Sequence, residues 1–455
     1  MQFTPTMTGI NSPDPLQHAF KVKSAPHAGR SNSRPLTLDS QQWQQWWQQP
    51  SQATQRALYI HLPFCRKRCS FCNFFENGTN PEKVSRYVDT LVEQLRIAAD
   101  TPLGNSRAFD TVYVGGGTPT DMQADEIFRL GEAIQRFKLV DDVEITLEGR
   151  LNGFDDDKWQ AANQSGFNRF SFGVQSFDTD VRIAAGRFDD KTVLLNRLAE
   201  LSQHPSASVV IDLIFGLPGQ TMDVWQQDLQ AVIDTGVHGV DLYQLIGLSG
   251  SRMDHAKGKG KVIAPANSQY QADSQTRANM YAIGANHFEA HNWQRLSSCH
   301  WRRDARERSI YNTLAKSGIE ILPFGAGAGG SIHGHGCMNG RDLKQWHQAH
   351  NSTPDTVQTV PAQVPQMIMP PNPSAALDAV IKRGLDTGLL DTRLLPAKLA
   401  KHLTPLFEQW QHNGLTDFSS PLLSLTLAGR FWNVNLQTGL FEFLAANPLK
   451  QDLAA

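Results

Sequence analysis

The sequence YIHLPFCRKRCSFCNFF, residues 59–75, contains three of the chain's five cysteines. Cys65, Cys69 and Cys72 stand in the spacing C-x3-C-x2-C, just after an apolar run, residues 57–62, that is typical of a β-strand. We therefore expect the three thiols on one loop at the end of that strand. Three thiolates so close together suit a soft metal centre.

Several kinds of site use clustered cysteines, and the residues alone leave more than one open. A structural zinc site normally has four ligands in paired units, whereas no second pair follows here. Disulfides are disfavoured, because three clustered thiols cannot all pair and no secretory signal is present. An iron–sulfur cluster normally takes four cysteines, so three would leave one iron open. A cluster, a zinc site and unliganded cysteines remain the alternatives.

Composition narrows the class of protein. At 455 residues the chain is long enough for two or three domains, and its 40% hydrophobic and 19% charged residues are typical of a soluble globular protein. The formal net charge of -2 gives no basic field for nucleic acid, and no long apolar run predicts a membrane span. The first residues do not have the pattern of a signal peptide. We expect reduced cysteines and a cytoplasmic location.

Strands alternate with amphipathic helices over residues 57–245. The predicted strands are residues 57–62, 111–115, 143–147, 168–173, 208–215 and 239–245. Between the first two, residues 81–100 predict a helix whose apolar face carries Val84, Tyr87, Val88, Leu91 and Leu95. This alternation indicates an α/β fold with a parallel sheet covered by helices. Functional side chains in such folds lie at the carboxyl ends of the strands.

Glycine and polar residues do follow the predicted strands. The second strand runs into GGGTPT, residues 115–120, where three glycines would let the backbone approach a ligand and offer its N–H groups. Glu148 ends the third strand, Gln175 follows the fourth with Arg187 further on, and Asp212 lies within the fifth. Taken singly, each of these side chains is more readily explained as a buried structural group than as a ligand contact.

Taken together, these motifs resemble the radical S-adenosylmethionine (SAM) superfamily, and within it the branch of the oxygen-independent coproporphyrinogen III oxidases. The resemblance rests on the cysteine motif, GGGTPT, GVQSF, GR and DLIFGLPGQT. It implies a partial (β/α)6 TIM-like barrel and a [4Fe–4S] cluster on the three motif cysteines, whose open iron takes SAM. The SAM-contacting residues that it implies are Tyr59, Phe71, Gly116, Gly117, Thr118, Glu148, Gln175, Arg187, Asp212 and Ile246.

The pattern predicts four segments. Residues 1–55 form an N-terminal extension with a Trp-rich helix, in which Trp43, Trp46 and Trp47 share one face. Residues 56–345 hold the barrel and its extension, and residues 346–373, rich in Pro, Gln and Thr, are predicted to be a linker. Residues 374–455 predict a small α+β, winged-helix-like domain that acts as a lid. The tryptophan face predicts either a docked helix or an aromatic wall over a flat ligand.

Histidines offer a possible contact to substrate iron. His333 and His335 stand with Cys337 and Met338 in the glycine-rich stretch SIHGHGCM, which predicts either a metal or haem ligand loop or a flexible hairpin. His61, four residues before the first motif cysteine, is a second candidate for a role on the substrate side.

Within the branch, the chain resembles the anaerobic haem-degrading radical SAM methyltransferases (ChuW/HutW-like). Phe74 stands where the oxidases usually have a further cysteine, and an extension precedes the barrel. The resemblance implies haem as substrate, opened to a linear tetrapyrrole with release of iron, and two SAM molecules per turnover, one as radical source and one as methyl donor. It implies reduced flavodoxin or an NAD(P)H-linked reductant as electron source, and allows for haem-handling proteins as partners. The oxidase and a non-catalytic haem chaperone are the alternatives.

Overall fold

The computed structural model describes residues 3–24, 34–73, 77–247, 251–259, 261, 263–265, 268, 270–351 and 359–448. The helices are α1 Pro5–Thr8, α2 Pro15–His18, α3 Ser40–Gln48, α4 Pro81–Ala99, α5 Pro102–Asn105, α6 Ala124–Ile134, α7 Asp156–Gln164, α8 Thr179–Ala185, α9 Lys191–Leu201, α10 Met222–Thr235, α11 Arg252–Gly258, α12 Ser274–Ala290, α13 Ile310–Ala315, α14 Leu343–Asn351, α15 Ala375–Thr387, α16 Ala397–His412, α17 Leu427–Phe431 and α18 Asn433–Ala446. The strands are β1 Arg56–Leu62, β2 Phe64–Cys65, β3 Asn77–Gly78, β4 Phe109–Gly116, β5 Leu139–Gly149, β6 Arg169–Gln175, β7 Ser208–Phe215, β8 Gly239–Gln244, β9 Gln294–Arg295, β10 His300–Arg302, β11 Glu320–Phe324, β12 Gly329–Ile332, β13 His335–Met338, β14 Met367–Met369, β15 Leu389–Asp391, β16 Thr416–Ser419 and β17 Leu422–Leu425.

The six predicted strands are all present, and they form the middle of the main sheet. Strands β1, β4, β5, β6, β7 and β8 are neighbours in that order and pair in parallel. Helices connect them, as parallel pairing requires. The predicted α/β class with a partial, TIM-like barrel is therefore confirmed.

The sheet extends beyond the barrel at both ends. Strand β11 pairs in parallel with β1, and β12, β13 and β14 follow it antiparallel. On the other side β10 and β9 pair antiparallel with β8, so the described sheet has 12 strands. These added strands occupy both edges, and the row of strands from β1 to β8 stays open as a partial barrel.

Helix α4 illustrates how the sequence builds the outer layer. It begins with Pro81 after Asn80, whose side chain accepts a hydrogen bond from the Lys83 N–H. All five residues of its predicted apolar face are buried. One of them, Tyr87, uses its hydroxyl to donate to the carbonyl oxygen of His61 and to accept from the Ala326 N–H, so the helix is also joined to β1 by hydrogen bonds.

The described residues of the N-terminal extension pack against the rest of the protein. Helices α1 and α2 lie against the C-terminal helices, where Trp410 Nε1 donates to the Met7 carbonyl oxygen at 2.9 Å. In α3, Trp43 and Trp47 are buried in the core, and Trp43 Nε1 donates to the Pro361 carbonyl oxygen at 2.7 Å. The alternative of a docked helix is thus the one that the structure adopts.

The predicted linker, residues 346–373, is wrong in part. Helix α14 runs into it, and Trp346 on that helix stacks on Tyr87 with ring centroids 4.3 Å apart. Further on, β14 adds a strand to the main sheet through β13. Neither element contains proline or threonine, so it was the composition of the residues between and around them that concealed both.

The C-terminal part has the α+β composition that the sequence predicts. Strands β15, β17 and β16 form a three-stranded antiparallel sheet, with α15, α16 and α18 beside it. Leu403, Leu406, Phe407 and Trp410 on α16 form the core of this part. None of the described helices is both long and apolar enough to cross a membrane.

Candidate functional site

The cysteine loop begins at the carboxyl end of β1, as predicted. Cys65 lies in β2, which pairs in parallel with β3, and Cys65 and Cys69 are buried while Cys72 is half-buried. Backbone hydrogen bonds hold the loop, since the Ser70 N–H donates to the Ala185 carbonyl oxygen at 3.1 Å. Phe71 packs beside Val181, where the loop meets α8.

Two donors point at the sulfur atoms. Thr118 Oγ1 donates to Cys65 Sγ at 3.3 Å, and Arg150 Nη2 donates to Cys69 Sγ at 3.3 Å. Burial raises the pKa of the Cys65 thiol, while the Thr118 hydroxyl and the Arg150 charge oppose that rise. Donors and cations beside sulfur favour the thiolate, which is the form that binds metal. The three thiols could therefore hold a metal cluster.

A mononuclear metal site was the alternative for these cysteines. In the part of the chain that the structure describes, no group of three or more His, Cys, Asp or Glu side chains is arranged to hold a single metal ion.

The arginine at position 150 follows Glu148 by two residues, and its contact with the loop was not predicted. Its position directly after the third strand was the signal that could have found it.

Two glycines of GGGTPT are required by close packing against β1 and the start of the cysteine loop. A Cβ on Gly117 would lie 2.3 Å from the Phe64 carbonyl oxygen, and one on Gly116, whose φ is +115°, would lie 2.6 Å from the His61 ring. The Gly117 N–H donates to the Leu62 carbonyl oxygen and the Thr118 N–H to that of Phe64, each at 2.7 Å. The prediction that the glycine N–H groups are offered to a ligand is wrong for Gly117, because the end of β1 takes that group, and the Thr118 N–H is likewise bonded within the protein.

Carboxylates line the interior of the barrel. Glu148 is held by hydrogen bonds from the Tyr113 hydroxyl and the Gly116 N–H, although burial raises its pKa. Burial also raises the pKa of Asp212, and the neighbouring charges of Asp241 and Glu148 raise it further. Register places Asp212 between Gly173 of β6 and Asp241 of β8. The predicted residues Glu148 and Asp212 thus face one polar interior.

Gln175 and Arg187 meet at Gly173. A Cβ on Gly173 would lie 2.6 Å from Gln175 Nε2 and 2.9 Å from Arg187 Nη2, so a larger residue would displace the ends of both side chains. Gln175 has a positive φ of 75°, at the irregularity that ends the pairing of β6 with β7. Gln175 Oε1 and Arg187 Nε are both buried and have no hydrogen-bond partner in the described structure. Buried polar atoms of this kind normally have partners, so this corner fits a polar ligand.

Aromatic side chains complete the wall beside the cysteine loop. The rings of Tyr59, Tyr113 and Tyr311 stack, with Tyr113 and Tyr311 4.6 Å apart. The Tyr59 hydroxyl lies 2.9 Å from His61 Nδ1, and burial lowers the pKa of His61 to about 4, so this imidazole is neutral at neutral pH. Tyr59 and His61 were predicted at the site, whereas Tyr113 and Tyr311 were not. The alternation of inward-facing residues along β4 was the signal for Tyr113.

His333 and His335 lie at the opposite end of the barrel from the cysteine loop, so the structure does not bring these two predicted substrate ligands to the loop. The His333 N–H donates to Glu320, which is paired with Arg56, the first residue of β1. Seven residues of β1 separate that level from the cysteine loop, roughly 20 Å at 3.3 Å per residue. Trp46 packs on both imidazoles, and its carbonyl oxygen lies 3.0 Å from His333 Nε2. The tryptophan face therefore does not cover the end of the barrel that carries the cysteines.

A buried charge network crosses the other side of the barrel. Arg169 donates to both carboxylate oxygens of Glu307, and Ser208 Oγ donates to the same group at 2.8 Å. His300 lies between two carboxylates, with Nδ1 2.8 Å from Asp241 Oδ2 and Nε2 3.1 Å from Glu307 Oε1. Asp241 is the register partner of Asp212 on the neighbouring strand, so this network reaches the polar interior that contains Asp212.

A cavity of about 660 Å³ lies between the barrel and the C-terminal helices. Its barrel side includes Asp241, Tyr243 and Ile246, and its other side includes residues of α15 and α18. Ile246, predicted as a SAM contact, lines this cavity just past the carboxyl end of β8. Pockets that bind organic ligands have volumes of about 300–1,000 Å³, so the cavity has the size of a ligand site.

Comparison with known proteins identifies the family to which this chain is related. The model of the Radical SAM superfamily matches residues 59–232. An anaerobilin synthase from Escherichia coli O157:H7 is 35% identical over 409 residues, which are 89% of this chain and 88% of that protein. The chain belongs to the radical SAM superfamily. Its enzymes use a [4Fe–4S] cluster and SAM, and they need a reductant.

Two further relatives belong to the same branch of radical SAM proteins. The haem chaperone HemW from Bacillus subtilis is 27% identical over 293 residues, 64% of this chain and 75% of that protein. Among solved structures, coproporphyrinogen III oxidase from Escherichia coli matches with a TM-score of 0.72 and 22% identity, over 88% of this chain and 93% of that chain. The oxidase confirms the radical SAM fold and its C-terminal domain. Phe74, where the oxidases were expected to differ, lies outside the described residues.

Proposed function

We propose that this protein degrades haem anaerobically. As a radical SAM methyltransferase it opens the haem macrocycle to a linear tetrapyrrole, releases the iron and adds one methyl group. One SAM is the radical source and a second is the methyl donor. The observation that carries the proposal is the 35% identity to an anaerobilin synthase over 89% of this chain.

The extent of that match separates this function from its alternatives. The haem chaperone aligns with only 64% of this chain, whereas the anaerobilin synthase aligns with parts well beyond the barrel as well. The oxidase shares the fold at 22% identity, which supports the architecture alone. Haem degradation is therefore the function that the comparisons favour.

Within this proposal the cysteine loop holds the cluster and the adjoining strand ends hold SAM. Cys65, Cys69 and Cys72 are the cluster ligands, and the donors Thr118 and Arg150 stabilise their thiolates. When bound, the cluster supplies the electron that cleaves SAM reductively. Tyr59, Glu148, Gln175, Arg187 and Asp212 are the polar side chains that contact SAM, and Phe71 and Ile246 are apolar contacts. Gly116, Gly117 and Thr118 contact SAM through atoms other than their N–H groups, which are bonded within the protein.

The side chains around the loop have roles that follow from their surroundings. Gln175 Oε1 and Arg187 Nε, buried without partners, are placed to bind the polar atoms of SAM. The stacked tyrosines beside Tyr59 exclude water from that wall, which protects a radical from reaction with solvent. His61, neutral and held by the Tyr59 hydroxyl, is the group on this wall suited to contact substrate.

The reductant is reduced flavodoxin or an NAD(P)H-linked system, and the reaction takes place in the cytoplasm. All five cysteines are free thiols in the structure, as expected in a reducing compartment. Haem-handling proteins that deliver the substrate are compatible partners.

An anaerobic reaction with haem, SAM and a strong reductant tests the proposal. We expect the Soret band to disappear and an iron-free linear tetrapyrrole to form, with a mass that includes one added methyl group. A Cys65→Ala, Cys69→Ala, Cys72→Ala variant is the matched control and should leave haem unchanged. Persistence of the Soret band together with double decarboxylation of coproporphyrinogen III would establish the oxidase instead, and haem binding without any turnover would establish the chaperone.

A further inference from the structure

The cavity beside β8 combines apolar walls with a cluster of cations. Its apolar lining includes Phe215, Tyr243, Tyr281, Leu296 and Val434. Lys23 from the N-terminal extension, Lys316 from the end of α13, Lys382 from α15 and Arg430 from α17 also line it. A flat apolar molecule with acidic substituents has the complementary chemistry.

Lys23 is held in place by the C-terminal helix. The side chain of Asn435, which is buried on α18, accepts a hydrogen bond from the Ser24 N–H at 3.0 Å and donates to the Val22 carbonyl oxygen at 2.9 Å. These two bonds bracket Lys23, whose Nζ lies 3.9 Å from the centre of the Phe431 ring. One asparagine therefore aligns the backbone of the extension so that an ammonium reaches the cavity.

The charges of the cavity leave cations over once its internal pairs are counted. Lys316 Nζ pairs with Asp386 Oδ2 at 2.7 Å, and Asp241 pairs with His300. Among the described lining residues, Lys23 and Lys382 then stand against one carboxylate, Asp378, which accepts a hydrogen bond from the uncharged side-chain amide of Asn372. Within the described residues, neither Lys23 nor Lys382 has a carboxylate at ion-pair distance.

The surroundings of Lys23 and Arg430 add to this excess of positive charge in the cavity. Burial lowers the pKa of Lys23 to about 7, as expected for an ammonium kept from water without an anion. Arg430 pairs with Glu289 through Nη1, but its Nε is buried and has no partner in the described structure. An anion in the cavity would satisfy both groups.

We propose that Lys23, Lys382 and Arg430 form a carboxylate-binding site in this cavity, which holds the propionate side chains of the tetrapyrrole substrate. The inference rests on the proposed function and adds the place where the substrate is recognised. Asp241 and Ile246 connect the cavity to the barrel interior and to the carboxyl end of β8. A macrocycle whose propionates are held by these cations therefore has its ring directed toward the end of the barrel that carries the cysteine loop.

Binding without turnover tests the site. The enzyme, loaded with its cluster and without reductant, is titrated anaerobically with haem and with haem dimethyl ester, which lacks both carboxylate charges. We expect the wild type to bind the ester roughly tenfold or more weakly than haem, as the loss of charge-assisted hydrogen bonds implies. Lys23→Met and Lys382→Met should each bind haem more weakly than the wild type, and the double variant should bind haem about as weakly as the wild type binds the ester; Lys23→Arg should keep part of the affinity.

The control is Lys401→Met, an exposed lysine of α16 outside the cavity, which should bind haem like the wild type. SAM affinity is measured in each variant, since the SAM carboxylate is the other anion that could use these cations. Lysine variants that weaken SAM binding but not haem binding would overturn the assignment, as would equal binding of haem and its ester by the wild type.

The inference and the proposed function can fail separately. Carboxylate-dependent haem binding without ring opening would overturn the function and keep this site. Ring opening that is equally fast for haem and its ester, and unaffected in both lysine variants, would keep the function and overturn this site. Circular dichroism and unchanged visible absorption of the cluster show that each variant is folded, so a loss of binding can be assigned to the missing charge.

Discussion

Replacing His300 by glutamine should remove a pH-dependent part of the protein's stability. The imidazole is buried, and burial by itself lowers its pKa, but the carboxylates of Asp241 and Glu307 outweigh this effect and raise the pKa to about 10. The ring nitrogens lie at ion-pair distances without the angles of good hydrogen bonds. The attraction is therefore mainly one of charge, and His300 is an imidazolium in the folded protein.

The sign and size of the effect follow from the two protonation equilibria. An unfolded histidine has a pKa of about 6.5, so between pH 6.5 and about 10 the folded state binds more protons. The contribution of His300 is fully present below pH 6.5 and is lost as pH rises toward 10. Each pH unit of this window is worth about 1.4 kcal/mol, which gives roughly 5 kcal/mol in total.

The measurement is guanidinium unfolding followed by circular dichroism at pH 6, 8 and 9.5, under anaerobic reducing conditions. At pH 6 we expect H300Q to be less stable than the wild type by roughly 3–5 kcal/mol, because Asp241 and Glu307 lose their shared cation in the interior. The two proteins should converge in stability as pH approaches 10. His412→Gln, at an exposed position on α16, controls for loss of a histidine in general. A constant difference between H300Q and the wild type over this pH range would refute the reasoning.

Three further changes test the candidate site. Replacing any one of the three motif cysteines by alanine should abolish the visible absorption of the cluster and its bound iron. The control Cys337→Ser, on the distant strand β13, should keep both. A variant that lacks all three motif cysteines and still binds four irons would contradict the assignment. Arg187→Met should weaken SAM binding by about 1–3 kcal/mol, measured by calorimetry with iron content checked. Arg129→Met, at a half-buried position of α6 outside the site, should not; equal affinities would remove Arg187 from the SAM site. Gly117→Ala would put a Cβ 2.3 Å from the Phe64 carbonyl oxygen, so the cysteine loop would be displaced and the protein should lose most of its iron. The control Gly78→Ala, at a position with open space around it, should retain its iron. A normal iron content in Gly117→Ala would show that the loop can shift without consequence.

The sequence by itself determined the barrel strands and the position of the cysteine loop. These features are local, because a run of apolar residues, a helix cap and a set of cysteines each lie within a few neighbouring positions. Glu148, Gln175, Arg187 and Asp212 lie in or after the predicted strands, whose carboxyl ends meet at one edge of a parallel sheet, but only the family resemblance indicated that they contact SAM. In the structure their side chains are buried in the barrel.

Only the tertiary structure decided which residues from distant parts of the chain meet. Tyr311 reaches Tyr113 because α13 leads to β11, an extra parallel strand beside β1 that the strand pattern did not reveal. His333 lies at the far end of the barrel because β12 runs antiparallel to β11, and strand direction is set by pairing rather than by composition. Lys23 lies at the cavity because the side chain of Asn435, more than four hundred residues further along the chain, holds the backbone on either side of it. Contacts between residues so far apart in the sequence depend on how whole helices and strands pack together, so no pattern within a single element predicts them.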